Sequence, residues 1–316
     1  MMIALTVIFM LLTYYVPFFS LLGVFVCGVP MACLAARNGL KVTLPALAGT
    51  AAVAFLFTGN VFSVIYIILM SVLPGAIAGY VLGSGKSFFA ALFAVCCAVC
   101  AGAMFEYIVI DRVMADGGLM KMADEMVNQI EPIMNEMLKM LPQGSGGADL
   151  KSAVSASLDT MKSVFRLFFP ALVIISSMLV GYAILMFSAF VMKRIGMKNI
   201  HAVPFYMLKA PKRLSIVAVI MFLLFFFSKA ETLRWALFAN VALVLYSIVG
   251  MCGMSLLDFK LRQKIPKTGV RVLIYVLVFL FGGVLMSFAA NLLIIAGIFD
   301  SMRDYRGIDA QKDSVI

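Results

Sequence analysis

Charge is scarce in this chain. Only 13% of its 316 residues are Asp, Glu, Lys or Arg, while 64% are hydrophobic. Soluble domains average about 25% charged and about 45–50% apolar. A fold of about 300 residues still leaves roughly a quarter of its chain surface exposed, so it cannot hide that excess in water. A soluble globular enzyme and a disordered chain are excluded, and a multi-span membrane protein remains. Histidine is nearly missing: His201 is the only one. It lies in a basic loop and reads as a solvated residue, with no partners for a metal site, a triad or a proton relay. The six cysteines, Cys27, Cys33, Cys96, Cys97, Cys100 and Cys252, all fall in apolar runs and read as small packing residues. A disulfide framework is excluded. Cys97 and Cys100 have CxxC spacing but no second CxxC and no nearby histidine. No basic n-region and no small-residue cleavage site open the chain, so the first run is read as an uncleaved span.

What is abundant is uninterrupted apolar sequence. Charge-free runs cover Met1–Ala36, Val42–Gly85, Ser87–Phe105, Leu167–Met192, Leu214–Ser228, Trp235–Leu257 and Val272–Phe299. A bilayer core about 30 Å thick needs roughly 20 helical residues at 1.5 Å each. Val42–Gly85 holds 44 residues and divides into two spans at Thr58-Gly59-Asn60. Met1–Ala36 is read as two short spans with a break near Pro17 to Ser20. Leu214–Ser228 is short and is expected to continue past Lys229 and Glu231, which can pair or reach the interface. The last run is read as one span. The expectation is an all-α polytopic membrane helix bundle of nine spans, or eight if the first run crosses once.

Lys and Arg favour cytoplasmic loops. In the nine-span reading Arg37, Lys41, Lys86, the loop Lys193–Arg213 and the loop Asp258–Arg271 share one side. That side holds 14 basic residues and one acid, a balance of +13; the other 11 basic and 14 acidic residues give −3, and the two sum to the chain's +10. The net charge therefore reports orientation rather than a nucleic-acid partner. The reading puts the N-terminus in the cytoplasm and the C-terminus outside the cell membrane. The basic loops suit anionic headgroups or an acidic partner.

Residues 111–166 break the apolar pattern. Leu119, Met122, Met126, Ile130, Ile133, Met137 and Met140 recur at steps of three or four. So do Leu150, Val154, Leu158, Met161, Phe165 and Phe168, beyond a glycine-rich break at Gln143–Gly147. Each stripe marks an amphipathic helix, with Pro132 kinking or splitting the first. The two form an extracytoplasmic hairpin whose second helix runs into span 6. Its methionines read as packing residues, with a soft-metal site or an adaptable apolar groove as the sharper alternative. The expected parts are spans 1–5 (1–110), the hairpin (111–166), spans 6–9 (167–300) and a short polar tail (301–316).

No motif carries catalytic chemistry. Gly83-Ser84-Gly85-Lys86-Ser87 looks like the end of a P-loop, but Tyr80 stands where the first glycine is required and no strand precedes it. It reads as a short turn. Almost none of the charge is expected to be buried, which counts against ion coupling. Glu106, near the outer end of span 5, is the best candidate among ionisable residues for contact with a ligand or partner. Its plainer reading is an interfacial carboxylate paired with Arg112. Asn240 and Asn291 are polar positions in spans 8 and 9, suited to hydrogen bonds between helices or to ligand contact. Ala32/Ala36 and Pro74–Gly79 are small-residue patches that allow close helix approach. No cofactor, metal or catalytic residue is expected, and no enzyme.

Tyr15-Val16-Pro17, Pro30, the stretch Ala35–Lys41, Leu73–Tyr80 and the ending Gly297–Arg306 resemble the YybS-like family of bacterial multi-pass membrane proteins. The first six spans of that family in turn look like the membrane-embedded substrate-binding subunits of energy-coupling-factor vitamin transporters. The resemblance implies that spans 1–6 take a small molecule from outside, with a separate coupling subunit and ATPases as partners. The Ala-xxx-Ala docking motif of such subunits is missing from the first span, where Ala4 is followed by Ile8, and Ala32/Ala36 is only a weak substitute. No binding residue carries over. The alternative reading is a non-catalytic scaffold that docks other proteins of the cell envelope or signalling machinery.

Overall fold

In a computed structural model of the chain, the described residues are 1–109, 132, 136, 147–197, 200, 202–229, 232–281, 283–303 and 305–307. All regular elements among them are helical. Five are long and apolar enough to cross a membrane: Leu40–Thr58, Val61–Gly83, Phe88–Val109, Ser163–Arg194 and Leu233–Lys264. Met2–Tyr15, Leu22–Asn38 and Thr268–Val278 are shorter apolar helices. The fold is the expected all-α polytopic bundle. It divides into two compact units, Met1–Ala202 and Val203–Ile316.

In the first unit, α1 (Met2–Tyr15) stops at the extended Val16, and α2 (Pro17–Val26) begins with Pro17 in its first turn. Proline disfavours helical backbone in the residue before it and is well suited to open a helix. The break is where the sequence placed it. Then come α3 (Val29–Asn38) and α4 (Leu40–Thr58). Gly59 closes α4 in the left-handed region, with φ 63°. The Asn60 side chain accepts from the Ser63 N–H at 3.1 Å and caps α5 (Val61–Ile67). A π-helical turn, Ile68–Val72, joins α5 to α6 (Leu73–Gly83). Gly83–Ser87 is the turn expected, with φ 72° at Gly85. The Ser87 hydroxyl accepts from the Ala90 N–H as α7 (Phe88–Val109) starts. The last helix, α8, runs unbroken over Gly147–Arg194, so the second amphipathic segment does continue into span 6. The first, Leu119–Met140, lies outside the described residues apart from Pro132 and Glu136.

The two small-residue patches face each other. Gly28, Ala32 and Ala36 meet Gly75, Gly79 and Gly83, each set in steps of four. The constant offset of 47 between partners means that α3 and α6 run parallel. A Cβ on Gly79 would overlap the Ala32 carbonyl oxygen, one on Gly75 would overlap the Gly28 backbone, and one on Gly83 would sit 2.7 Å from the Ala36 Cα. Around this seam Met10, Cys27, Met31, Val72 and Ala76 form a buried core. The buried Thr6 and Thr50 hydroxyls donate to the carbonyls four residues back, at 2.9 and 2.8 Å. That satisfies them where water is absent.

The second unit opens with a 3-10 turn, Phe205–Met207, followed by α9 (Lys212–Phe227) and α10 (Leu233–Lys264). Two sequence expectations are corrected here. The short run does not continue as helix past Lys229. It ends at Ser228 and is lengthened at its start, while the Thr232 hydroxyl caps α10 by accepting from the Trp235 N–H. The last run is not one span, because α11 (Thr268–Phe281) and α12 (Gly283–Arg303) run in opposite directions. Gly253 of α10 abuts Leu293 and Gly297 of α12, and Arg306 returns to Ser255 of α10 and to Tyr206 and Leu208. The end of α12 therefore lies at the same end of this unit as the segment before α9 and the α10–α11 connection. It does not lie opposite them, as a single span would require. In a cysteine-free background, Lys264→Cys and Tyr305→Cys should react with an impermeant maleimide from the same side of sealed vesicles. Labelling from opposite sides would restore the single span.

Candidate functional site: a hydroxyl-lined cavity

The first unit holds an open cavity of about 650 Å³ between the α1–α2 break, α5, the π-helical turn and α8. Six of the residues that line it carry a hydroxyl: Thr13, Tyr14, Ser20, Ser63, Tyr66 and Ser71. Val24, Phe25, Ile67, Met70 and Val180 supply the apolar part. Among the described residues, no charged side chain lines it. A volume of this size, mostly apolar with a few placed polar groups, fits a small organic molecule.

Local sequence explains the geometry. The Pro17 break turns the chain so that Thr13 and Ser20, on either side of it, reach one cavity. The step of four brings Ser63, Ile67 and Ser71 onto one side of their span. Within it the π-helical turn Ile68–Val72 contributes Met70 and Ser71 directly. Such turns recur at functional sites. Three of the hydroxyls already donate to carbonyls: Thr13 to Phe9 at 2.7 Å, Ser20 to Pro17 at 2.6 Å and Ser71 to Gly23 at 3.4 Å. Their oxygens remain able to accept. The Tyr14, Ser63 and Tyr66 hydroxyls make no hydrogen bond among the described residues. The Tyr15 hydroxyl donates to the Phe57 carbonyl at 2.9 Å and ties the end of α1 to the end of α4.

Of the three residues singled out in the sequence, none lines this cavity. Glu106 is half-buried on the last turn of α7. Arg112, its expected partner, lies outside the described residues, as does His201. Asn240 donates to the Ala236 carbonyl of its own helix at 2.8 Å. Asn291 is exposed on α12. The cavity hydroxyls escaped sequence reading because single Ser, Thr and Tyr residues in apolar runs are ordinary. Only the chain reversals bring them together.

The expectation that almost no charge is buried is corrected in the second unit. Arg306 and Asp300 form an ion pair whose side chains are 0% and 1% exposed. Arg306 Nε and Nη2 donate to Asp300 Oδ2 at 3.1 and 2.6 Å, Nη1 donates to the Tyr206 carbonyl and Ser255 Oγ, and Nη2 also donates to the Leu208 carbonyl. All five guanidinium N–H groups are used. Asp300 Oδ1 is buried without a partner among the described residues. A second pair joins Arg271 Nε to Asp258 Oδ1 at 3.0 Å, with Arg271 also donating to the Ile265 and Pro266 carbonyls. These pairs hold helix ends together. Among the described residues no group of three or more His, Cys, Asp or Glu could hold a metal ion.

No curated protein and no solved structure matches the chain. A family described as "Predicted membrane protein (DUF2232)" matches residues 4–301, nearly the full length, and its description agrees with the helices laid out above. The chain belongs to this family of predicted membrane proteins.

Proposed function

We propose that the chain is a non-catalytic binding or transport subunit for a small, uncharged, partly apolar molecule held in the cavity of the first unit. The observation that carries this reading is the chemistry of the cavity wall, where six of the eleven described lining residues carry a hydroxyl and none is charged. A buried charge without a partner in the ligand would be costly, so a neutral molecule with hydrogen-bonding groups suits it best. The resemblance of spans 1–6 to substrate-binding subunits of energy-coupling-factor transporters supports the same reading and suggests a coupling ATPase module as partner. The bacterial cell membrane is the setting, with the basic end of the second unit, and so the C-terminal end of α12, on the cytoplasmic side.

The test is purification of the full chain in mild detergent, with mass spectrometry of small molecules that come with it. A reproducible neutral compound is expected. Ser63→Phe, which fills the cavity, should abolish its retention. Tyr66→Phe, which removes one donor, should lower it about two- to tenfold, in line with about 0.5–1.5 kcal/mol per hydrogen bond. An empty wild-type protein that crosslinks reproducibly in cells to envelope proteins would favour the scaffold instead.

A further inference from the structure

Among the described residues, one end of the second unit carries exposed cations and no exposed carboxylate. The segment before α9, the α10–α11 connection and the end of α12 gather there. Lys212 and Arg213 are exposed at the start of α9; Lys260, Arg262 and Lys264 on the last turns of α10; Lys267 in the connection; and Arg303 at the end of α12. The only described carboxylates of this unit, Asp258 and Asp300, are buried and bound to Arg271 and Arg306. The two internal pairs thus take both described acids from the surface, and seven exposed cations remain among the described residues. At the opposite end the exposed charged residues among those described are Lys229 and Arg234. Arg262 is fixed in place, its guanidinium 4.2 Å from the centre of the Tyr206 ring, a cation–π contact.

Below the cations the surface turns apolar within about one helical turn. Leu257, one turn before Lys260, is 41% exposed, and Leu273, beyond Lys267, is 56% exposed. Ile216 and Val217 follow Arg213 with 48% and 41%. A soluble acidic partner would need the positive band alone. A molecule with an anionic head and apolar tails matches both layers.

We infer that this end of the unit is a seat for anionic phospholipid, with the phosphate held among Lys212, Lys260, Lys264 and Lys267 and the acyl chains along the apolar residues beneath. The inference is independent of the cavity in the first unit. Native mass spectrometry of the delipidated full chain in mild detergent, with phosphatidylglycerol or phosphatidylcholine added, tests it. Preferential retention of phosphatidylglycerol is expected. Each basic residue near such a surface contributes about 1 kcal/mol, about fivefold in affinity, so Lys264→Gln should lower retention about fivefold. The quadruple variant Lys212→Gln/Lys260→Gln/Lys264→Gln/Lys267→Gln should lower it tenfold or more. Lys229→Gln/Arg234→Gln, at the other end, should leave it unchanged. Equal retention of the two lipids, or an undiminished preference in the quadruple variant, would overturn the inference. So would displacement of the lipid by an equal concentration of inorganic phosphate, which would reveal a soluble-anion site.

Discussion

Arg306→Met is expected to destabilise the protein by about 3–5 kcal/mol, the usual effect of removing one partner from a buried ion pair. The loss has two sources. The Tyr206 and Leu208 carbonyls and Ser255 Oγ lose their donors, and the Asp300 carboxylate stays buried with neither oxygen bound. The only tryptophan, Trp235, stands in the same unit, so its fluorescence can follow unfolding in an SDS titration. Asp300→Leu/Arg306→Met should recover part of the loss, because replacing both partners by apolar groups removes the orphaned charge. If Arg306→Met unfolds at the wild-type SDS concentration, the cluster does not hold these helices together.

Gly79→Val should be nearly as damaging. The added Cβ would overlap the Ala32 carbonyl oxygen, which is backbone and cannot swing aside. The two helices must separate, and overpacking of this kind costs about 3 kcal/mol. A sharp fall in monodisperse protein by size-exclusion chromatography is expected. Gly49 of α4 supplies the contrast: a Cβ there meets nothing within 4 Å. Gly49→Ala should therefore gain about 0.5–1 kcal/mol, the helix-propensity difference between the two residues. Equal behaviour of the two variants would mean that the α3–α6 seam is not close-packed.

Much of this architecture can be read from the chain because apolar length and punctuation are local signals. Pro17, Gly59 and Asn60 each act on their own backbone, and the structure breaks where they stand. The small residues at 32, 36, 75 and 79 were visible as patches, but their pairing is a long-range fact. The second unit was harder. The reversal between α11 and α12 leaves no charge or proline behind, and 28 apolar residues pass for a single long span. Arg306 looked like part of an ordinary polar tail and Asp300 like the edge of the last span, because burial is decided by what packs around the end of α12. The cavity was least legible, since its hydroxyls are spread over α1, α2, α5 and the π-helical turn and no spacing rule joins those of α1 and α2 to Ser63 and Ser71.

The π-helical turn has one more consequence. In a straight α-helix each step of four residues carries a row of side chains about 40° around the axis. From Ser63 to Gly83 a row of five such steps would wind through roughly 200° and leave its neighbours behind. The wide turn at Ile68–Val72 holds one extra residue, and so turns the second half of the span back by about 100°. Ser63, Ile67 and Ser71 can therefore face the cavity while Gly75, Gly79 and Gly83, in the same sequence register, still press against the helix that begins at Gly28. The turn acts as a phase correction: it lets one span serve a polar wall at one end and a close-packed seam at the other.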